Sequence, residues 1–378
     1  MKIVFVGLGG VPFSKRAIDV REKAFADLFG SLGYEVEILN RFSSIKSDGA
    51  KTPFKIIEPF KNKVARGRVS FLFYYVLALL GEPFQLFKSS HRKHVDVLFV
   101  NSGQFVDTLV YKIISKMIGA KLVYQYCEER MAMGKGRPYH KINGYCLHHF
   151  APKLWDGAIC ISHYLESNCL AKNKSLKTML VYPICDFVEI DALGHSEVEE
   201  KDYVLFCGSL GYMEIINFII DSYHLSSIYE KCKLLMVLGG DKQSFEKMKK
   251  AHSDIVFKQD LSYDRLIAYF RHAKALLIPL RDNVRDIARY PNKICEYSAS
   301  KGLIITTNNG EIPYTFEDGV NALVADSYSI ASFAEKLDEI LVSTSLDSIR
   351  EKCYETGRLY FNISAYSEKT KTFMSQFS

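Results

Sequence analysis

Pro291, Lys293 and Glu296 stand close together in RYPNKICEYSASKGLIITTNNGE, and between them they could hold two chemically different parts of one ligand. A proline has fixed φ and no N–H to satisfy, so it suits the start of a helix. In the first turn after it, free backbone N–H groups and the helix dipole favour an anion near Asn292 and Lys293. The Lys293 ammonium adds a charge-assisted contact worth about 1.5–3 kcal/mol if that anion is a phosphate. Glu296 follows three residues later, so both side chains share one helix face. A carboxylate repels phosphate but accepts hydrogen bonds from two adjacent hydroxyls, such as those of a ribose. Gly302 then ends the helix and a strand follows.

A second phosphate candidate opens the chain. MKIVFVGLGGVPFSK reads as a strand running into a turn with Gly7, Gly9 and Gly10. A dinucleotide fold would need a third glycine where Pro12 stands, and an acid where the second strand ends in Asn40 and Arg41. The GxxxxGK[ST] of a P-loop is absent. This turn is therefore either a plain strand-to-helix connection or a secondary partner of the phosphate.

Both candidates need elements to hold them, and the apolar pattern supplies these. KIVFVGL, YEVEILN, DVLFVNS, AKLVYQY and GAICIS are short apolar runs separated by helical stretches such as Ser14–Leu32 and Asp107–Ile118. In the first of these, Ile18, Ala24, Phe25, Leu28 and Phe29 fall broadly on one face. The pattern restarts at YVLFCGSL and continues through KLLMVLGG, DIVFKQ, ALLIPL and GLIITTN. Near-continuous apolar strands alternating with helices predict parallel sheets covered on both faces. The α/β chain then has two Rossmann-like domains, 1–187 and 188–360. A final helical segment, 361–378, could cross back onto the first.

At 378 residues, with 48% hydrophobic and 24% charged residues, the chain is a folded protein with room for two cores. Its nine cysteines form no CxxC pair and no zinc spacing, which suits a reducing cytoplasm; no metal site is read. The start lacks the shape of a signal peptide. The net charge of +6 is uneven, for residues 1–190 hold 27 Lys and Arg against 16 Asp and Glu. Residues 46–94 hold ten basic and three acidic residues, with Lys61, Lys63, Arg66 and Arg68 central. Inside lies SFLFYYVLALL, Ser70 to Leu80, about half the roughly 20 residues that a membrane span needs. Two readings stay open: a core helix, or a half-exposed helix resting peripherally on an anionic membrane. No nucleic-acid recognition motif accompanies the charge.

The 291–302 stretch resembles the pattern P-x-K-x-x-E-Y-x-A-x-G of family-4-type glycosyltransferases, which have the GT-B fold. Pro291, Lys293, Glu296, Tyr297, Ala299 and Gly302 match it, with Ser300 as the small residue before Lys301. VLFCGSL, ALLIPLRD and EDGVNALVAD are similar to further segments of that family, and CISHYLE to the last unit of its N-terminal half. The resemblance implies two domains facing each other across a cleft, with a nucleotide-sugar donor on the second and a glycan or lipid-linked glycan acceptor on the first. It implies that Glu296 holds the ribose, that Lys293 and Arg281 meet the diphosphate, and that Asn292 lies on the donor side. Gly208 and Ser209 would approach the phosphates, as would Gly9 and Gly10 from the first domain. It further implies a retaining transfer without metal or other cofactor, with basic side chains and helix N-termini stabilising the leaving diphosphate.

The chain departs from that pattern in several places. The family's Glu-x7-Glu would put a carboxylate at Ala288; Asp286 could stand in, or backbone N–H groups of the turn at Asn308, Asn309 and Gly310 could read the donor sugar. The helix from Tyr212 to Tyr223 lacks the family's basic pair, for which Arg281, Arg285 and Arg289 could compensate. Where relatives carry a histidine after AKLVYQY, this chain has Cys127, Glu128 and Glu129. Glu128 is a candidate general base or acceptor ligand, whereas Glu129 reads as a solvated loop acid. His140, His148, His149 and His163 read as surface or packing residues, and Glu129–Lys141 as an ordinary exposed loop or, alternatively, a mobile one over the acceptor site. Two rivals remain: a sugar-nucleotide epimerase of the same fold, and a catalytically degenerate partner subunit.

Overall fold

Thirteen short strands carry the described part of the chain, all of them pairing in parallel. In the first unit these are β1 (Lys2–Leu8), β2 (Glu35–Asn40), β3 (Lys55–Ile57), β4 (Val97–Val100), β5 (Lys121–Tyr126), β6 (Gly157–Cys160) and β7 (Lys177–Leu180). They form one sheet in the order β3-β2-β1-β4-β5-β6-β7. The second unit has β8 (Tyr203–Ser209), β9 (Lys233–Gly239), β10 (Val256–Lys258), β11 (Ala275–Leu277), β12 (Ile304–Thr307) and β13 (Leu323–Ala325). Their order is β10-β9-β8-β11-β12-β13. The chain reverses direction of growth beside β1 in one sheet and beside β8 in the other, and ligands of such folds bind outside the carboxyl ends of strands at those points. The computed structural model describes residues 1–8, 11, 17–41, 53–58, 68–133 and 138–377.

The two units are Met1–Tyr182 with Tyr366–Ser378, and Pro183–Ala365. The first cut falls five residues before the 187/188 read from the sequence. Phe187 already packs on Tyr354, and the Cys185 N–H donates to the Phe361 carbonyl. The same contacts keep residues 361–365 in the second unit, so the returning segment starts at Tyr366.

Each sheet buries a dense apolar layer. In the first unit Phe5, Phe25, Phe29 and Phe99 meet with ring centroids 4.7–6.1 Å apart. On the helix Ala17–Ser31, which supplies two of these rings, Phe25, Leu28 and Phe29 are buried where the apolar pattern places them. Ile18 is exposed, while Arg21 and Glu22 are buried. Arg21 reaches the carbonyls of Val181 and Tyr182 at 2.7 and 2.8 Å, and Glu22 accepts from Asn101.

The apolar stretch at 70–80 is part of a 25-residue helix, Arg68–Arg92. Ala78 and Leu86 are buried, but Phe73, Val76 and Leu80 lie open, so the core reading fails for that face. Among the described residues no helix is long and apolar enough to cross a membrane. Lys61, Lys63 and Arg66 and the side chain of Arg68 lie outside the described residues.

Candidate active site

The helix carrying Lys293 and Glu296 is short, Lys293–Ala299, with Asn292 as its N-cap residue and Pro291 before it. The sequence placed Pro291 at the start of the helix, with Asn292 and Lys293 in its first turn. Instead the Ile294 N–H donates to the Pro291 carbonyl, and Asn292 makes no side-chain capping bond. With so few residues the dipole is small, and the charge at this end comes mainly from Lys293 itself.

Lys293 and Glu296 do share a face. The ammonium meets Glu296 Oε2 at 2.5 Å, and the Tyr263 hydroxyl donates to Oε1 at 3.1 Å. The Lys293 side chain is 32% exposed, whereas Glu296 is buried with its side chain at 10%, so it is the ammonium that reaches solvent. Phe270 sits beneath the ammonium, 5.9 Å from ring centroid to Nζ. Burial alone would lower the Lys293 pKa, but the adjoining Glu296 carboxylate outweighs it and holds the ammonium above its ordinary range. Burial, with the same carboxylate beside it, pushes the Tyr263 phenol up as well, so it stays a donor. Each Glu296 oxygen has one internal donor, which leaves a second lone pair on each for a ligand hydroxyl.

Tyr297, the next residue, faces inward. Its hydroxyl accepts from the Cys207 N–H at 3.0 Å and ties the helix to the end of β8. There Gly208 has no room for a side chain, since a Cβ would strike the Phe206 ring at 2.6 Å. The Ser209 hydroxyl accepts from the Gly211 N–H at 3.2 Å and starts the 3-10 turn Leu210–Tyr212.

Arg281, Arg285 and Arg289 gather nearby around Asp286 and Tyr212. Arg281 Nε donates to Asp286 Oδ2 at 2.7 Å, and Arg289 Nη2 lies 2.7 Å from Oδ1. Asp286 also receives the Arg281 backbone N–H, and its own N–H is capped by Asn283 Oδ1 at 3.0 Å. Burial would raise the Asp286 pKa, but the Arg281 hydrogen bond and the Arg289 charge bring it below the usual carboxylate range. The arginine planes of 285 and 289 lie over the Tyr212 ring at 5.1 and 4.7 Å. The buried Nε atoms of Arg285 and Arg289 have no hydrogen-bond partner among the described residues. Arg281 is also held by Glu214, in the first turn of the helix Met213–Leu225 that lacks basic residues there.

This overturns the use of Asp286 as a reader of the donor sugar. It is fully buried and its oxygens are occupied by arginines. Ala288 is buried too. In the turn after β12, the Asn308 N–H goes to the Ala325 carbonyl and that of Asn309 to Thr307, so neither serves a ligand hydroxyl. Asn309 Nδ2 donates to the Leu280 carbonyl at 3.0 Å, and Gly310 takes φ +61 where a Cβ would crowd the Asp286 carbonyl at 3.3 Å. The turn is thus built against the Asp286 loop; Gly208 and Ser209 end β8, Arg281 follows β11, Asn309 and Gly310 follow β12, and Asn292, Lys293 and Glu296 stand at the cap and on the helix before β12.

In the first unit Glu128 follows β5, is half-buried, and pairs with Arg130 at 3.1 Å. Glu129 is not a solvated acid. It is buried, accepts from the Tyr126 hydroxyl at 3.0 Å and the Met131 N–H at 3.0 Å, and lies 2.7 Å from His148 Nδ1. His148 is buried beside it, whereas His140 is exposed and His163 packs edge-on to Tyr182. Gly9, Gly10 and part of the 129–141 loop lie outside the described residues. Tyr263, Phe270 and Tyr212 went unread because each reaches its partner across the fold, with no local spacing to announce it.

Residues 190–360 match the family described as Glycosyl transferases group 1. No curated protein matches the chain. Among solved structures, a sucrose-phosphate synthase from Thermosynechococcus elongatus superposes with a TM-score of 0.75 at 14% identity, covering 100% of this chain and 98% of that one. HepE of Anabaena, solved in complex with UDP and glucose, gives 0.71 at 13% identity with 100% of both chains covered. WaaB, a lipopolysaccharide outer core galactosyltransferase, gives 0.67 at 14%, covering 100% and 99%. Its two parallel sheets are those of the GT-B fold, and residues 190–360, most of the second unit, match the group 1 glycosyl transferases.

Proposed function

We propose that the protein transfers a sugar from a nucleoside diphosphate sugar to a hydroxyl of a glycan or lipid-linked glycan at the cytoplasmic membrane face. The observation that carries this is the Lys293–Glu296 pair of the second unit, a half-exposed cation and a buried carboxylate on one short helix. In this reading Glu296 accepts from the ribose hydroxyls while Lys293 turns to the diphosphate. The unfilled Nε donors of Arg285 and Arg289, with Arg281 beside them, supply further positive charge for the leaving group. A uridine nucleotide is the first choice, because HepE was solved with UDP.

The bond from the anomeric carbon to phosphate breaks and one to the acceptor oxygen forms, with retention; the acceptor proton passes to the departing phosphate. No metal is needed, since cationic side chains do the neutralising. Asn292, Gly208, Ser209, Asn309 and Gly310 shape the donor side, and Glu128 of the first unit orients the acceptor hydroxyl. Gly9 and Gly10 belong to the donor side as well. An anionic membrane is the peripheral partner, and no nucleic acid takes part.

The test is a thermal-shift screen against UDP-, GDP-, ADP- and TDP-sugars. A ligand at about 100 times its Kd stabilises the native state by about 2.7 kcal/mol, which raises Tm by roughly 5–10 °C for a unit of this size. UDP-sugars are expected to give that rise. No shift with any of the four nucleotides removes the donor assignment.

A further inference from the structure

We infer that the outer faces of three neighbouring helices in the first unit, Arg68–Arg92, Phe105–Ile118 and Pro138–His149, form one docking surface for an anionic lipid bilayer. The inference rests on the membrane part of the proposed function and not on the donor site.

The first observation is the placement of apolar side chains that the core does not use. At about 100° per residue, Phe73, Val76, Leu80, Phe84 and Phe87 fall within an arc of about 80° on the first helix. All five are exposed, Leu80 at 70% and Phe84 at 66%. The opposite side, with Ala78, Glu82, Leu86 and Ser89, is buried. On the second helix Val106, Leu109, Ile113 and Met117 make an equally narrow exposed stripe, with Ile113 at 61% and Met117 at 65%. On the third, Tyr139, Ile142 and Tyr145 are exposed. A lone exposed leucine needs no explanation, but stripes on three adjacent helices make a contiguous apolar surface of the kind that soluble monomers avoid.

The helices are locked side by side, so the stripes cannot turn inward. Arg41, just after β2, binds Glu82 of the first helix at 2.8 Å and Asp107 of the second at 2.9 Å. The Tyr75 hydroxyl donates to Asp107 at 2.7 Å and that of Tyr111 to Glu82 at 2.8 Å. Asn143 of the third helix accepts from the Phe105 N–H at 2.8 Å.

Charge selects the occupant. Among the described side chains of these helices, both carboxylates, Glu82 and Asp107, are buried against Arg41. The exposed charges are all positive: Lys88, Arg92, Lys116 and Lys141. An apolar face with a purely cationic rim fits acyl chains below and anionic headgroups around it. A second copy docked on the same face about a two-fold axis would set these cations against one another.

The test is co-sedimentation of the full chain with phosphatidylcholine vesicles, with and without phosphatidylglycerol. The protein is expected to bind the phosphatidylglycerol vesicles, and salt to weaken that binding. Replacing Leu80→Ser, Phe84→Ser and Ile113→Ser together is expected to lower partitioning on the order of 100-fold. Lys88→Glu with Lys116→Glu and Lys141→Glu should remove the preference for phosphatidylglycerol. Unchanged circular dichroism and an unchanged thermal response to UDP-sugars show that fold and donor site are intact. Wild-type partitioning by the serine variant overturns the inference, as does a wild-type protein that ignores vesicles but dimerises through this face in sedimentation velocity. Loss of the UDP-sugar response with vesicle binding retained would instead count against the proposed donor.

Discussion

Glu296→Ala separates a ribose ligand from a purely structural acid. In the free protein Glu296 accepts from Tyr263 and Lys293, and both donors remain open to water when it is removed, at 36% and 32% exposure. The cost to stability is therefore that of a partly exposed pair, about 1 kcal/mol, or a fall in Tm of roughly 2–4 °C. The cost to binding is larger. Hydrogen bonds to a charged acceptor contribute about 1.5–3 kcal/mol each, so losing one to two of them weakens UDP by on the order of 100-fold. Isothermal titration with UDP and 2′-deoxy-UDP closes the cycle. The wild type should bind the deoxy nucleotide at least about tenfold more weakly than UDP, and the variant should bind the two alike. Lys293→Met gives the counterpart, weakening UDP while leaving uridine unchanged. A wild type indifferent to the 2′-hydroxyl, or a Glu296→Ala variant that still prefers UDP, would refute the ribose role.

Two further outcomes follow from the buried charges. Asp286→Ala strands Arg281 and Arg289 and should cost about 3 kcal/mol, lowering Tm by roughly 6–12 °C in differential scanning calorimetry, with loss of UDP binding; a stable variant that binds normally would show the arginines to be held otherwise. Burial pushes the Glu22 carboxyl up from its ordinary 4.5 to about 8. The native state therefore keeps a proton that the unfolded chain has lost, so stability falls as pH rises from 4.5 towards 8, by roughly 1.4 kcal/mol per pH unit. Glu22→Gln should flatten Tm against pH across that window and be the more stable form at its upper end; parallel curves would place the titration elsewhere.

Strands and the donor-side motif were legible because their signals are local. Apolar runs bounded by glycine mark β1, β8 and β12, and the Lys293–Glu296 spacing brings both side chains to one face. What escaped was whatever depends on a partner far along the chain. Asp286 reads as a replacement for the carboxylate missing at Ala288, yet it is the anchor on which two arginines, 281 and 289, and the Gly310 turn are built. Glu129 reads as a loop acid because nothing near it in sequence announces His148 or Tyr126 as partners. Arg21 and Glu22 sit where periodicity asks for apolar residues, because backbone carbonyls at 181 and 182 and the Asn101 amide reach them.

The return of the C-terminal segment to the first unit sets an order on synthesis. Gly157 of β6 has no side chain because Phe373 and Phe377 lie against it, and Lys369 holds the Leu180 carbonyl at 2.9 Å. The cover over β6 and β7 is thus in place only once residues 366–377 have been made, whereas 183–365 is one unbroken stretch that can close during translation. Of the two units the one begun first is thus finished last, and a chain lacking residues 366–377 would expose β6 and β7 while its second sheet is already folded.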